Sequence, residues 1–226
     1  MTELLVMDTS THTCGVGVLH KNQSVVQCAQ ATAKHAQVLL PMIEEVMNEA
    51  GMSRSDLQAI GVVIGPGSFM GVRTAICTAQ ALAFALSIPV IPMSSLAVLA
   101  QTAYLKLDEQ RVIAAWDARM KAFYWGAYEL NDGVMKVVGQ DALSSVGDPI
   151  DMPWENALKV GNAWETYQLT HAYGGAYAHD LYLMPEAMLA LAKHYYASGH
   201  VVEADEIEPM YLRNKVAQTL LEREGG

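Results

Sequence analysis

Clustered positive charge is what this 226-residue chain most lacks. Fourteen lysines and arginines stand against 24 aspartates and glutamates, a formal charge of −10. Independent tight binding to a phosphate backbone needs clustered lysine and arginine, so the balance excludes a free-standing nucleic-acid binder. Cysteine is scarce as well. Cys14, Cys28 and Cys77 are odd in number and form no Cys-x-x-Cys, which fits reduced thiols in a cytoplasmic protein rather than a disulfide framework. The seven histidines, His12, His20, His35, His171, His179, His194 and His200, include no two that lie three or four residues apart. A helical metal pair is therefore missing, and no metal site is expected. There is no low-complexity tail, and Met1-Thr2-Glu3 leads directly into a strand-like run, so no signal peptide is expected. With 52% hydrophobic and 17% charged residues, the chain has the composition of a globular protein with a sizeable core.

What is present is a glycine-rich junction. Gly65-Pro66-Gly67-Ser68-Phe69-Met70-Gly71-Val72-Arg73 joins a strand-like run, Ala59 to Ile64, to a helix-like run, Val72 to Leu86. Three glycines and a proline allow a sharp turn and a close approach to another surface, and Ser68 is placed to cap the helix. Such a loop holds either an anion or a neighbouring backbone. It is neither a Walker A loop, which needs Gly-Lys-Ser/Thr, nor a Gly-x-Gly-x-x-Gly fingerprint.

The following helix carries a single charge, Arg73. Val72, Ala75, Ile76, Ala79, Leu82 and Leu86 make an apolar stripe at helical spacing, while the opposite face is only weakly polar. Such a helix is either sandwiched inside the fold or turned toward a partner. It looks too short and too interrupted by Thr and Gln to span a membrane. A second helix is expected from His35 to Gly51, kinked at Pro41, with Val38, Met42, Ile43, Val46 and Met47 as its apolar positions. Side by side, the two helices would form an exposed apolar patch, which predicts a homodimer when no other partner is present.

The chain also repeats itself. Leu4 to Asp8 followed by Gly15 to Leu19 is echoed by Ile113 to Asp117 followed by Tyr124 to Tyr128, with Asp8 and Asp117, and Gly17 and Gly126, each 109 positions apart. Each half therefore opens with a three-stranded meander. An α/β fold of two lobes follows, with residues 1–107 and 108–226 as its units.

Asp8-Thr9-Ser10-Thr11, Gly65 to Arg73, Asp117-Ala118-Arg119-Met120 and Pro209-Met210-Tyr211-Leu212-Arg213-Asn214 occur in an order that resembles the TsaB (YeaZ) family, within the actin-like ATPase superfamily. The resemblance implies an actin-like fold in each lobe. It also implies a non-catalytic subunit that binds and activates the transferase TsaD, which attaches threonylcarbamoyl to the adenosine beside the anticodon of tRNA. The ATPase TsaE joins the assembly, and tRNA is met only within that complex. The contact with the transferase is implied for the first-lobe helices, which makes Val38, Leu39, Met42, Val46, Val72, Ala75, Ile76, Ala79 and Leu82 the candidate interface and Gly65, Pro66, Gly67, Ser68, Gly71 and Arg73 the candidate loop. Two departures from the family pattern stand out. Met70 replaces a usual Thr, and Ala122 replaces a frequent Glu.

In this superfamily an aspartate from each lobe faces ATP and its metal, which makes Asp8, Thr9, Ser10 and Asp117 a degenerate nucleotide site. The alternative is that each aspartate caps its own turn. No cofactor is expected. An ATP-dependent kinase or ATPase is the second function class, and a metallopeptidase the third, disfavoured by the missing histidine pair. Arg213 and Lys215 are either a solvated chain end or a contact with tRNA inside the complex. Leu158 to Asn162 reads as a strand and turn and Pro185 to Ser198 as a helix, while Thr170 to Tyr182 has no assignable structure.

Overall fold

The computed structural model describes residues 2–30 and 34–213. Asn214 and Lys215 lie outside the described residues. Both expected meanders are present, because in each half two apolar runs flank an Asp-containing turn and a second turn follows. The first is β1 (Leu4–Asp8), β2 (Thr13–His20) and β3 (Gln23–Gln30). Two parallel strands, β4 (Ala59–Gly65) and β5 (Val90–Ser94), extend it into a sheet of order β3-β2-β1-β4-β5. The second meander is β6 (Arg111–Asp117), β7 (Ala122–Asn131) and β8 (Val134–Ser145). With β9 (Leu158–Val160) and β10 (Tyr177–Ala178) it forms a sheet of order β10-β9-β6-β7-β8. These duplicated open sheets match the architecture that the actin-like resemblance implies.

The duplication is not identical in register. Asp8 pairs with Gly15, whereas Asp117 pairs with Phe123 rather than with Tyr124, the residue 109 positions after Gly15. The second turn is one residue tighter, and Arg119, Met120 and Lys121 all take positive φ (62°, 55° and 53°) to close it. Left-handed backbone is unfavourable for residues with a Cβ, so this turn is held by contacts around it.

The core lies in three layers. Helices α1 (His35–Glu49) and α2 (Phe69–Leu86) cover the outer face of the first sheet. Helices α3 (Ser95–Leu107) and α6 (Pro185–Ala197) fill the space between the two sheets, packing Leu96, Leu99, Met188 and Leu191 against Val6, Ile91, Val112 and Tyr128. Short helices α4 (Ala163–Thr166) and α5 (Leu169–Tyr173) cover the far face of the second sheet around Trp164. Along the chain the division expected at residues 107 and 108 falls between α3 and β6. In space α3 precedes it yet packs on β6 to β8, while α6 follows it and packs on β1 and β2.

Helix α1 runs through Pro41 without interruption. Helix α2 begins at Phe69, three residues before the expected start, because Ser68 caps it by accepting from the Gly71 N–H at 3.3 Å. Its 18 residues are long and apolar enough to cross a membrane by length and composition, contrary to the expectation that it is too short. Its Val72, Ala75, Ile76, Ala79 and Ala83 are instead buried on the first sheet. The stretch from Thr170 to Tyr182 resolves into the end of α5 and β10.

Polar groups also join the sheets. Ser94 Oγ, at the end of β5, donates to Asp141 Oδ2 on β8 at 2.6 Å while accepting from the Leu96 N–H, and Tyr128 Oη donates to the other oxygen of Asp141. Burial pushes the Asp141 carboxyl above its ordinary range, and the two hydroxyl donors oppose that rise. Asp141→Ala leaves the Tyr128 hydroxyl and the Ser94 hydroxyl without their acceptor. Thermal and urea unfolding are expected to show a loss of about 2–3 kcal/mol, with a single transition retained.

Candidate functional site

The glycine-rich loop does not stand open. Its Ser68 N–H donates to the Ser10 carbonyl at 2.7 Å, and Thr9 Oγ1 donates to the Gly71 carbonyl at 2.6 Å. A Cβ on Gly71 would lie 1.9 Å from the Thr9 carbonyl oxygen, and one on Gly67 would lie 2.5 Å from that of Ser10. Of the two occupants the loop allows, a neighbouring backbone takes the place: the turn between β1 and β2. Gly65 is buried with φ of 112°, and the Ile64 carbonyl beside it accepts from the Met210 N–H at 2.8 Å. Pro66 places its carbonyl to accept from Ser95 Oγ, at the start of α3. The loop is thus a junction of β1, α2, α3 and the final segment.

Asp8 lies beneath this junction and is wholly buried, as is Thr9, with Ser10 1% exposed. Asp8 Oδ1 accepts from the Ser10 N–H at 2.8 Å, which is the capping arrangement allowed by the sequence. Among the described residues, Asp8 Oδ2 and Ser10 Oγ have no hydrogen-bond partner and are buried. Burial pushes the Asp8 carboxyl up to about 6, against the lowering effect of the hydrogen bonds to Ser10 and Thr9.

Asp117 is also engaged by its own surroundings. Its Oδ1 accepts from the Arg119 N–H at 2.7 Å and from Tyr167 Oη at 2.6 Å, and the Arg119 guanidinium lies 3.4 Å from Oδ2. The Asp117 N–H donates to Asn162 Oδ1. Among the described residues no three His, Cys, Asp or Glu side chains group as metal ligands.

The expected interface residues require a correction. Leu39, Met42, Val46, Val72, Ala75, Ile76 and Ala79 are buried in the core beneath α1 and α2, and Val38 and Leu82 are half-buried against it. They form the inward stripe, because the most continuous apolar row on each helix is the one that packs on the sheet. The outward side of α2 carries Met70, Thr74, Cys77, Ala81 and Phe84, at alternating spacings of four and three. Met70 is 67% exposed and Phe84 is 79% exposed, so the seam ends in two large apolar groups with small residues between them. On α1 the large exposed hydrophobic residue is Leu40. Between the helices lies a groove of about 410 Å³, bounded by Leu5, Leu40, Ile43, Met47, Leu82 and Leu86. The sequence signal for this seam was the charge-poor outer face of α2, but its small residues gave it no apolar period of its own.

A family model described as "TsaD: tRNA N6-adenosine threonylcarbamoyltransferase" matches residues 19–220. The tRNA threonylcarbamoyladenosine biosynthesis protein TsaB of Haemophilus influenzae is 34% identical, covering 94% of both chains. That of Escherichia coli is 32% identical, covering 95% of this chain and 96% of its own. YeaZ from Pseudomonas aeruginosa has a solved structure that superposes with a TM-score of 0.87 at 38% identity, covering 94% of this chain and all of that one. The chain belongs to the TsaB (YeaZ) family.

Both departures from the TsaB pattern now have places. Met70 lies on the exposed seam of α2. Ala122 is buried at the start of β7, where its N–H donates to the Arg119 carbonyl and its carbonyl accepts from the Ala118 N–H. It closes the tight second turn and brings no carboxylate to it.

Two variants test this reading of the junction. Gly71→Ala forces its methyl onto the Thr9 carbonyl, and denaturant unfolding is expected to show a loss of about 3 kcal/mol or more. For Asp8, a folded pKa above the unfolded one means that protons are taken up on folding, so stability falls as pH rises from about 4 to about 6. Asp8→Asn retains the acceptor for Ser10, removes that slope, and is expected to raise stability at pH 8 by about 1–3 kcal/mol. Unfolding curves at pH 4, 6 and 8 measure both effects.

Proposed function

We propose that this chain is a non-catalytic subunit required for threonylcarbamoyl modification of the adenosine beside the anticodon, acting by binding and activating the transferase TsaD. The observation that carries this reading is the exposed seam of α2, with Leu40 and the groove of α1 beside it. Alternating spacings of four and three keep Met70, Thr74, Cys77, Ala81 and Phe84 on one line, the geometry by which helices pack against helices. Small residues in the middle permit close approach of a partner helix, and the groove accepts a side chain from it. The mechanism is selection of a competent transferase conformation by that packing. TsaE joins the same assembly, and tRNA is engaged only within it. Without the transferase, the seam pairs with its own copy in a homodimer.

The ATP-dependent alternative is weakened by the same turns that resemble a nucleotide site. The backbone at Thr9 and Ser10 fills the glycine loop, Asp8 is buried, and Asp117 is held by Arg119 and Tyr167.

The test is a reconstitution of tRNA threonylcarbamoylation with transferase, TsaE and activated threonyl donor, with and without this chain. Activity is expected only when the chain is present, and the chain with ATP alone is expected to turn nothing over. Ala81→Glu, at an exposed helical position, is expected to keep its melting temperature within a few degrees. The same variant should lower modification at least tenfold and abolish co-elution with the transferase. Normal modification by that folded variant would overturn the interface. A charge at Ala75 or Ala79 is uninformative, because both are buried and the substitution unfolds the first lobe.

A further inference from the structure

The final described segment, Pro209 to Arg213, crosses from one lobe to the other. At its start the Met210 N–H bonds to the Ile64 carbonyl of the first sheet. At its end the Arg213 guanidinium donates to the carbonyls of Ala118 and Arg119 in the second-lobe turn, at 3.1 and 3.3 Å, and reaches the Met120 sulfur. Between these anchors Tyr211 Oη accepts from Arg73, whose guanidinium carbon lies 3.4 Å from the centre of the Phe69 ring and 5.7 Å from that of Tyr211. Arg73 is therefore held between two aromatic rings.

This surface has an unusual charge balance for so acidic a chain. Among the described residues, Arg54 and Arg111 are each paired with an exposed glutamate, Glu44 and Glu129. Among the described residues, Arg73 and Arg213 meet only carbonyls, a phenol, a thioether and aromatic rings. Arg119 touches Asp117 but is 86% exposed. The aromatic and thioether groups beside these cations are open to solvent: Phe69 is 61% exposed, and Met120 and Tyr211 are each 56% exposed. Three guanidinium groups, two of them with no carboxylate partner among the described residues, beside exposed flat rings suit a ligand that offers both phosphates and stacking faces. The acidic run Glu203 to Glu208 lies earlier on this segment, along the flank of α2, where the Ile207 carbonyl accepts from Gln80.

The geometry points to a contact between this strap and a single-stranded segment of RNA, with Tyr211 and Phe69 stacking on bases and Arg73, Arg119 and Arg213 on phosphates. The assignment rests on the proposed role in tRNA modification and adds to it a direct contact between this subunit and the substrate RNA. The low number of cations makes the contact weak alone and effective only when the assembly supplies the remaining affinity.

The experiment uses the assembled complex with full-length tRNA and with a fluorescent anticodon stem-loop, comparing the natural chain with Tyr211→Ala and with Arg213→Glu. Both variants are expected to co-elute with the transferase, to raise KM for tRNA at least tenfold and to leave kcat within twofold. The stem-loop should bind at least tenfold more weakly. Its log–log salt dependence should become shallower by about 0.7 for each phosphate that the variant no longer neutralises. Unchanged KM and unchanged salt dependence in variants that still assemble would overturn the contact. Loss of co-elution would assign the strap to a protein interface and also overturn it. Displacement of the stem-loop by ATP at equal concentration would transfer the surface to a free nucleotide and overturn the RNA assignment. Stem-loop binding is read without turnover. An assembly that does not need this chain for modification, but loses RNA affinity in the variants, refutes the accessory role and upholds the contact.

Discussion

The first lobe depends on one close approach, the carbonyls of Thr9 and Ser10 lying against Gly71 and Gly67. That contact sets where α2 begins relative to β1, because the Ser68 N–H and the Gly71 carbonyl are both hydrogen-bonded across it. The same loop reaches α3 through Pro66 and Ser95, and the final segment meets its neighbour Ile64. A methyl group at either glycine cannot be absorbed by a side-chain rotation, since the atom it meets is backbone. The loop, open in sequence to an anion or to a neighbouring backbone, is thus consumed as a structural joint, and the outer face of α2 is presented at a fixed angle.

That joint explains why a carboxylate is tolerated at position 8. With its pKa raised to about 6 the buried acid is uncharged only below that pH, and its Oδ1 serves the turn as a hydrogen-bond acceptor. Asp117, in the other lobe, solves the same turn differently. Its hairpin is one residue tighter, it is stabilised by a tyrosine, an asparagine and an arginine, and Arg119, Met120 and Lys121 carry the left-handed backbone that the shorter turn imposes. Two aspartates aligned by an internal repeat therefore occupy unlike electrostatic settings. Equivalence in sequence does not make them a matched pair around a ligand.

Much of the architecture was legible because it is written locally. A constant offset of 109 aligned the two meanders, Ser68 marked a helix start within a few residues, and Gly51 marked a helix end. The exchange of α3 and α6 between the sheets was not legible, since nothing in an apolar helix says which of two apolar sheets it will cover. The register slip in the second hairpin escaped for a related reason: Asp-Ala-Arg-Met carries no glycine to announce positive φ. The apolar rows that the sequence offered as an interface are the buried ones. Hydrophobic periodicity finds the row that packs inward, and Val72, Ala75, Ile76 and Ala79 are that row. The outward seam, built from Thr74, Cys77 and Ala81 between Met70 and Phe84, reads as weakly polar because its middle is made of small side chains that set up no apolar period.

The strap from Pro209 to Arg213 adds a constraint that neither sheet supplies. One end is tied beside the glycine loop and the other to the second-lobe turn, so a change in the angle between the lobes must stretch or release one of those ties. Arg73 belongs to α2 and also bonds Tyr211 of the strap, which places a single guanidinium at the meeting of the exposed seam and the interlobe crossing. The helix seam and the cation-aromatic surface therefore meet at one side chain, Arg73 of α2 bonded to Tyr211 of the strap.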